Sequence, residues 1–460
     1  MLEQKPGKPA YDVFLSHNSA DKPAVEALAA RLEDEEGLKA FLDIWHLVPG
    51  EPWEEALEAA LESSATCAVF LGPGGLGSWE SEEMRAALDE RTRSRSFRVI
   101  PVLLPGADPK EPNTLPLFLR RTTWVDFLAT PETWAKLKQQ LSIVDSEEVL
   151  RHLGVDLRHP RQSYVGPGLA QGANGEWSDP WGVRRRPVPH PDGVYEEIVE
   201  HPLAKITDPC DLADYPWPRP AWWDAESLAL EIRRLDEEGS YAIALEEFGD
   251  PGGIFEIAWY LRGLEQFLVD LVEKPELPYE IMRHVTDFYI GLLEQVMAAV
   301  GERIDLVWTS DDIAHQHGRV VSERCWQELI APHHQRLNQR IHQLGARVMY
   351  HSCGAVRPFI PALIDIGVDV LDVLQFSADG MDPRGIKVIF GEKLCFHGGM
   401  DVQSTLPRGT EDEVRRVTRE RVEVLGHDGG YILSPTHNIQ VDTPVSNILA
   451  MYTEAGSLAT

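Results

Sequence analysis

Short apolar runs punctuate the first part of the chain, and each gives way to a stretch whose apolar positions recur every three or four residues. The runs "YDVFLSH" (11–17), "KAFLDIW" (39–45), "TCAVFLGP" (66–73) and "RVIPVLLP" (98–105) are continuous enough to be buried strands. Between them "DKPAVEALAARLEDEEG", "EPWEEALEAALESS" and "SWESEEMRAALDERTR" carry the helical period, the first closed by Gly37. Apolar strands alternating with helices predict a parallel sheet covered on both faces. In such a sheet ligands sit beyond the carboxyl ends of the strands. Those ends carry Ser16, His17 and Asn18, then Asp43 and Trp45, then the glycine-rich "GPGGLG".

The second part repeats the alternation over a longer span. Six apolar runs end in polar residues: "SYAIALEEFGD", "IDLVWTSDDI", "ARVMYHSCG", "VDVLDVLQF", "KLCFHGGMD" and "GYILSPTHN". Helical patterns such as "PRGTEDEVRRVTRERVEVLGHD" and "VRPFIPALIDIG" separate several of them. Residues 128–460 suit one (β/α)8 barrel, whose active site lies at the carboxyl ends of its strands. Those ends offer Glu246 and Glu247, Asp311 and Asp312, His351 and Cys353, Asp372 and Gln375, His397 and Asp401, and His437 and Asn438. So many ligand-capable or acid–base side chains exceed what a purely structural barrel needs.

Composition narrows the partners. The chain has 460 residues, with 74 acidic against 43 basic side chains and a formal charge of −31. That field repels nucleic acid and anionic membrane, so neither is expected as a partner. The opening "MLEQKPGKPA" lacks the apolar core of a signal peptide, and no run approaches the length of a membrane span. The five cysteines are scattered rather than arranged as a secreted disulfide framework. A cytoplasmic location is the expectation.

The stretch from Tyr11 to Phe127 resembles the TIR (Toll/interleukin-1 receptor) domain, which has a flavodoxin-like parallel sheet. "YDVFLSHNSADK" is similar to its first strand and loop, "LDIWHLVPGEPWEEAL" to its second strand and BB loop, and "LPLFLRRTTWVDF" to the closing segment of bacterial members. TIR domains that cleave NAD+ carry a tryptophan four residues before the catalytic glutamate, and Trp79 and Glu83 in "GSWESEEM" fit that spacing. An i, i+4 pair shares one helical face. Breaking the nicotinamide–ribose bond develops oxocarbenium character that a carboxylate stabilises. The resemblance thus implies NAD+ as substrate, Glu83 as catalytic group, and a binding surface from Ser16, His17, Asn18, Asp43, Trp45 and Trp79. It also implies self-association, although many TIR domains are scaffolds. Without the resemblance, Glu80, Glu82 and Glu83 read simply as an acidic first helical turn.

The remainder, Leu128 to Thr460, resembles the uroporphyrinogen decarboxylase (URO-D) superfamily, which includes cobalamin-dependent methyltransferases. "HSCGAVRPFIPALIDIGVDVL" is similar to the segment that gives zinc a histidine and a cysteine in the methyltransferases, and "YILSPTHNIQVDTPVSNILAMY" to the closing strand and following helix. A further cysteine completes the methyltransferase zinc site, and His437 stands in its place here. Histidine binds zinc, so the resemblance implies a site from His351, Cys353 and His437, with a corrinoid partner. The decarboxylases also carry a histidine in that segment without metal, so His437 does not choose between the branches. Tyr260 resembles the decarboxylase pocket tyrosine, and Glu247, Asp311, Asp312, Gln375, His397 and Asp401 complete the expected pocket for a small molecule. A cap for the next helix is the other reading of Asp311 and Asp312, and support of the site from behind the other reading of His397 and Asp401. The decarboxylase's arginine-rich substrate segment is missing, although Arg184, Arg185 and Arg186 offer positive charge elsewhere. A lone His-x-Cys reads otherwise as the polar end of a strand, and His333 and His334 as surface or helix-packing residues.

Overall fold

The computed structural model describes residues 10–17, 21–34, 37–42, 60, 63–71, 98–103, 124–172, 175–190, 193–239, 241–246 and 252–458. The chain divides into two compact units, Met1–Arg120 and Arg121–Thr460. Among the described residues no helix is long and apolar enough to cross a membrane.

In the first unit β1 (Val13–Ser16), β2 (Ala40–Phe41), β3 (Thr66–Leu71) and β4 (Arg98–Leu103) form a parallel sheet in the order β2-β1-β3-β4. The strand order reverses at β1, the doubly wound arrangement that the alternation predicts. The helix Lys22–Asp34 places Val25 and Ala29 on one face, where they pack with Val13, Leu15 and Phe70. Ser16 is buried at the end of β1, and a ring nitrogen of His17 lies 3.2 Å from the Leu15 carbonyl.

The second unit is the (β/α)8 barrel. Its strands are β5 (Trp124–Val125), β6 (Leu157–Arg158), β7 (Ala242–Leu245), β8 (Leu306–Ser310), β9 (Arg347–His351), β10 (Val370–Leu374), β11 (Cys395–Met400) and β12 (Tyr431–Pro435). All pair in parallel, in the order β5-β12-β11-β10-β9-β8-β7-β6. The two ends of this order meet: Asp156 N donates to the Val125 carbonyl, and Val125 N donates to Asp156 Oδ2, each at 2.8 Å. Helices connect successive strands, including Ala225–Glu238, Glu276–Val300, Ala331–Gln343 and Glu411–Leu425. Their apolar faces supply most of the buried core outside the strands.

Six of these strands are the runs read from the sequence. The other two, β5 and β6, are each two residues long. The segment "TTWVDF", expected to close the first domain at Phe127, contains β5. Its strand is hydrogen-bonded to β12, and the division between compact units falls before it.

A polar layer above an apolar plug

Side chains along a barrel strand alternate between the interior and the helix layer. Inside, Leu157, Ala244, Leu306, Met349 and Val370 pack into one apolar cluster. Two residues further along the same strands stand His159, Glu246, Trp308, His351 and Asp372. The period of two therefore places a layer of charge and aromatic surface directly above the apolar plug. Asp126, just after β5, and His397 of β11 join that layer.

These groups form a continuous chain of carboxylates and imidazoles. His351 Nδ1 lies 2.5 Å from Asp372 Oδ2, and Asp372 Oδ1 lies 2.6 Å from His397 Nδ1. The other nitrogen of His397 is 3.1 Å from Asp126 Oδ2, and His159 Nε2 is 2.9 Å from Asp126 Oδ1. His159 Nδ1 then lies 3.5 Å from Glu246, whose carboxylate also pairs with Arg161. Trp308 stands among these rings, with centroid separations of 5.8 Å to His159, 6.1 Å to His351 and 6.0 Å to His397.

Charge in this layer is set by pairing rather than by burial. Burial favours neutral imidazoles, but Asp372 outweighs it at His351 and holds that ring well above its ordinary range. His397 is pushed up to about 9 by Asp372 and Asp126 against the same burial. His159 is raised by Asp126 in the same way. In return, burial would raise Asp126 and Asp372, yet their histidine neighbours hold both carboxyls far below the usual range. His437 is opposite in sign: burial and the charge of His351 keep it below the ordinary histidine value.

Candidate functional site

A cavity of about 500 Å³ opens above this layer at the carboxyl ends of the strands. Its wall includes Arg161, Gln162, Glu246, Trp308, His351, Asp372, His437 and Asn438. Beside it, Asp312, His351 and Cys353 bring one ligand atom each to within 4.8 Å of one another. The Cys353 sulfur is 3.5 Å from His351 Nε2, and Cys353 N donates to Asp312 Oδ1 at 2.8 Å.

The donors fit a zinc-type ion. One imidazole, one thiol and one carboxylate are all accepted zinc ligands. The Asp372 carboxylate engages Nδ1 of His351 and leaves Nε2 toward Cys353, the orientation that metal-bound histidines take from a carboxylate behind them. His437 lines the same cavity, with its ring centroid 6.5 Å from that of His351, and stands outside the close group.

The other expected pocket residues divide sharply. Asp311 is fully buried and accepts the backbone N–H groups of Phe255 and Glu256 at 2.8 Å, so it caps the helix Ile254–Arg262. His334 Nε2 lies 2.5 Å from the same carboxylate, which makes His334 an interior partner rather than a surface residue. Only glycine permits this approach, because a Cβ at Gly253 would stand 1.5 Å from the Ser310 carbonyl oxygen. Gln375 accepts from Gly354 N and donates to Gln316, binding two loops together. Asp401 accepts from the backbone of Gln403, Ser404 and Thr405. Tyr260 donates to Glu256 at 3.4 Å and lies under the Arg185 guanidinium. None of these side chains, nor His397, lines the cavity. Arg184 and Arg186 pair across a hairpin with Glu200 and Glu197, and Arg185 pairs with Asp179, so their charge is met locally. Glu247 and the TIR residues Asn18, Asp43, Trp45, Trp79 and Glu83 lie outside the described residues.

Trp308 on the cavity wall, and Asp126 and His159 in the polar layer beneath it, were not read from the sequence. Trp308 carried a usable signal, since it stands two residues before Ser310 on a recognised strand. Asp126 and His159 follow strands too short to show a period.

The fold is a parallel barrel with a cavity at the carboxyl ends of its strands, preceded in the chain by a doubly wound domain. Comparison with known families agrees for both parts. The TIR domain model matches residues 13–141, and the uroporphyrinogen decarboxylase (URO-D) model matches residues 232–457. Residues of this chain are 25% identical over 196 positions to a methylated-thiol–coenzyme M methyltransferase of Methanosarcina mazei, covering 43% of this chain and 49% of that protein. A shorter stretch of 93 residues is 30% identical to the NAD(+) hydrolase TirS of Staphylococcus aureus, covering 20% of this chain and 33% of that protein. The chain thus spans about half, and a third, of the curated relatives it matches. Among solved structures, a methyltransferase from Methanosarcina mazei superposes with a TM-score of 0.54 at 16% identity, covering 75% of this chain and 99% of that one. The first part of the chain is thus similar to TIR domains, and its barrel to the uroporphyrinogen decarboxylase (URO-D) family.

Proposed function

We propose that the barrel binds a metal ion at His351 and Cys353 and uses it on a small molecule held in the adjoining cavity, with methyl transfer to or from a thiol as the reaction class. The observation that carries this reading is the approach of Asp312 and Cys353 to His351, which lines the cavity. The similarity to a methyltransferase named for methylated thiols supports it. When bound, a zinc ion would supply Lewis acidity that favours the thiolate form of a thiol. The protein's own residues do the rest. Asp372 orients His351, the apolar plug closes the floor below Trp308, and Arg161, Gln162 and Asn438 offer polar contacts to the bound molecule. A corrinoid protein as methyl donor or acceptor is the partner that the superfamily resemblance implies. Metal analysis of the purified chain tests the premise. About one zinc per chain, lost in His351→Ala, is expected; a metal-free chain, or zinc unaffected by that substitution, would refute it.

We infer further that the TIR domain cleaves NAD+ with Glu83 as the catalytic carboxylate, and that the barrel's ligand regulates it. The spacing of Trp79 and Glu83 and the similarity to an NAD(+) hydrolase support this reading. Self-association through the TIR domain would assemble the active form. Purified protein incubated with NAD+ should release nicotinamide, and Glu83→Ala should abolish release. Undiminished turnover in Glu83→Ala would reject the assignment.

A further inference from the structure

We propose that Asp312, rather than His437, is the third protein ligand of the metal. This rests on the reading above that His351 and Cys353 take a metal ion. The argument begins with register. β8 and β9 are parallel neighbours, with Ser310 opposite His351, and Asp311 N donates to the His351 carbonyl at 3.0 Å. Two residues beyond Ser310 stands Asp312; two residues beyond His351 stands Cys353. The chains therefore leave the sheet side by side, and the bond from Cys353 N to Asp312 Oδ1 joins them.

That bond leaves the second carboxylate oxygen of Asp312 as a donor, with the carboxylate already held by the protein. His351 is held likewise through Nδ1. Asp312 and His351 are thus preorganised from behind, which lowers the ordering cost of capturing the ion. His437 lies two residues beyond the end of β12, a strand separated from β9 by β10 and β11, and its ring centroid stands 6.5 Å from that of His351.

Charge separates the two ligand sets as well. A thiolate and a carboxylate neutralise a divalent cation with a neutral imidazole beside them, whereas two imidazoles and one thiolate leave a net positive charge in a half-buried setting. The candidate ligand His351 is linked through Asp372 to His397, which is flanked by carboxylates on both nitrogens. A neutral metal site at this edge avoids adding charge to that layer. His437 is then available on the cavity wall to contact the bound molecule.

The test uses the full chain stripped of metal by chelation. Zinc affinity is measured by competition with a chromophoric chelator in the wild type, Asp312→Asn and His437→Gln, with unfolding temperature as a control for fold. Asparagine keeps a carbonyl oxygen for Cys353 N but loses the anionic ligand. Asp312→Asn should weaken zinc about tenfold or more, and His437→Gln by less than about threefold. Equal or greater loss in His437→Gln, or unchanged affinity in Asp312→Asn, overturns the proposal. X-ray absorption of the zinc-loaded wild type gives an answer that needs no variant: one sulfur and one imidazole support Asp312, and two imidazoles overturn it. A wild-type chain that takes no zinc at micromolar concentration removes the metal reading itself, and this assignment with it.

Discussion

His397 and Asp126 stand 271 residues apart in the chain, yet Nε2 of one lies 3.1 Å from Oδ2 of the other in the barrel interior. Because the remaining nitrogen of His397 meets Asp372, the ring donates from both sides and is held as a cation between two buried carboxylates. The histidine thus connects the cavity-lining His351–Asp372 pair to the opposite wall.

Removing that cation should be costly. His397→Ala leaves Asp126 and Asp372 buried with fewer partners, a class of change that typically costs about 3–5 kcal/mol. Chemical denaturation of the barrel should show a lower midpoint of that order. His397→Gln, which keeps a donor but not the charge, should fall between the two.

Stability should also depend on pH with a definite sign. His397 is raised in the folded state to about 9, above the unfolded value near 6.5, so its contribution is complete below about 6.5 and is lost as pH rises through 9. Asp126 and Asp372 are depressed, so theirs is present above about 4 and is lost as pH falls further. Metal-free protein should therefore melt at a lower temperature at pH 9.5 than at pH 6.5, and His397→Gln should flatten that alkaline slope. A steeper slope in the variant would contradict the pairing.

Asp311 and Asp312 should separate cleanly by phenotype. Asp311→Ala removes a helix cap and the partner of buried His334, a loss of about 2–4 kcal/mol in stability. Its refolded fraction should bind zinc nearly as the wild type does. Asp312→Asn should show the reverse: near-normal melting and weakened metal binding.

Trp308 provides an optical report of the site. Its ring adjoins three imidazoles whose carboxylate partners favour the protonated form, and protonated imidazole quenches indole emission. Zinc binding deprotonates His351 at its ligand nitrogen, so emission should rise on titration. Trp308→Phe should abolish that rise while retaining zinc.

The six long strands were readable because burial on both sides makes a parallel strand apolar throughout, and the polar residues that follow mark its carboxyl end. His351, Cys353 and His437 were found by that rule. It failed at Trp124–Val125 and Leu157–Arg158, where two residues carry no period, and with those strands went Asp126 and His159. The adjacent pair Asp311–Asp312 shows a different limit. Both looked equally suited to a pocket, but successive side chains diverge, and one became a helix cap while the other met Cys353.

What the sequence determined by itself was local: the alternation of apolar runs and helical periods, the positions of strand ends, and which residues at those ends can bind, donate or ionise. These follow from a few neighbouring residues, because strand and helix periods are short-range geometry. What only the tertiary structure decided was partnership. Whether a carboxylate meets a histidine, a backbone amide or a metal partner depends on strand register and ring closure. Those are set by hydrogen bonds between segments as distant as Asp126 and His397, and no local pattern contains them.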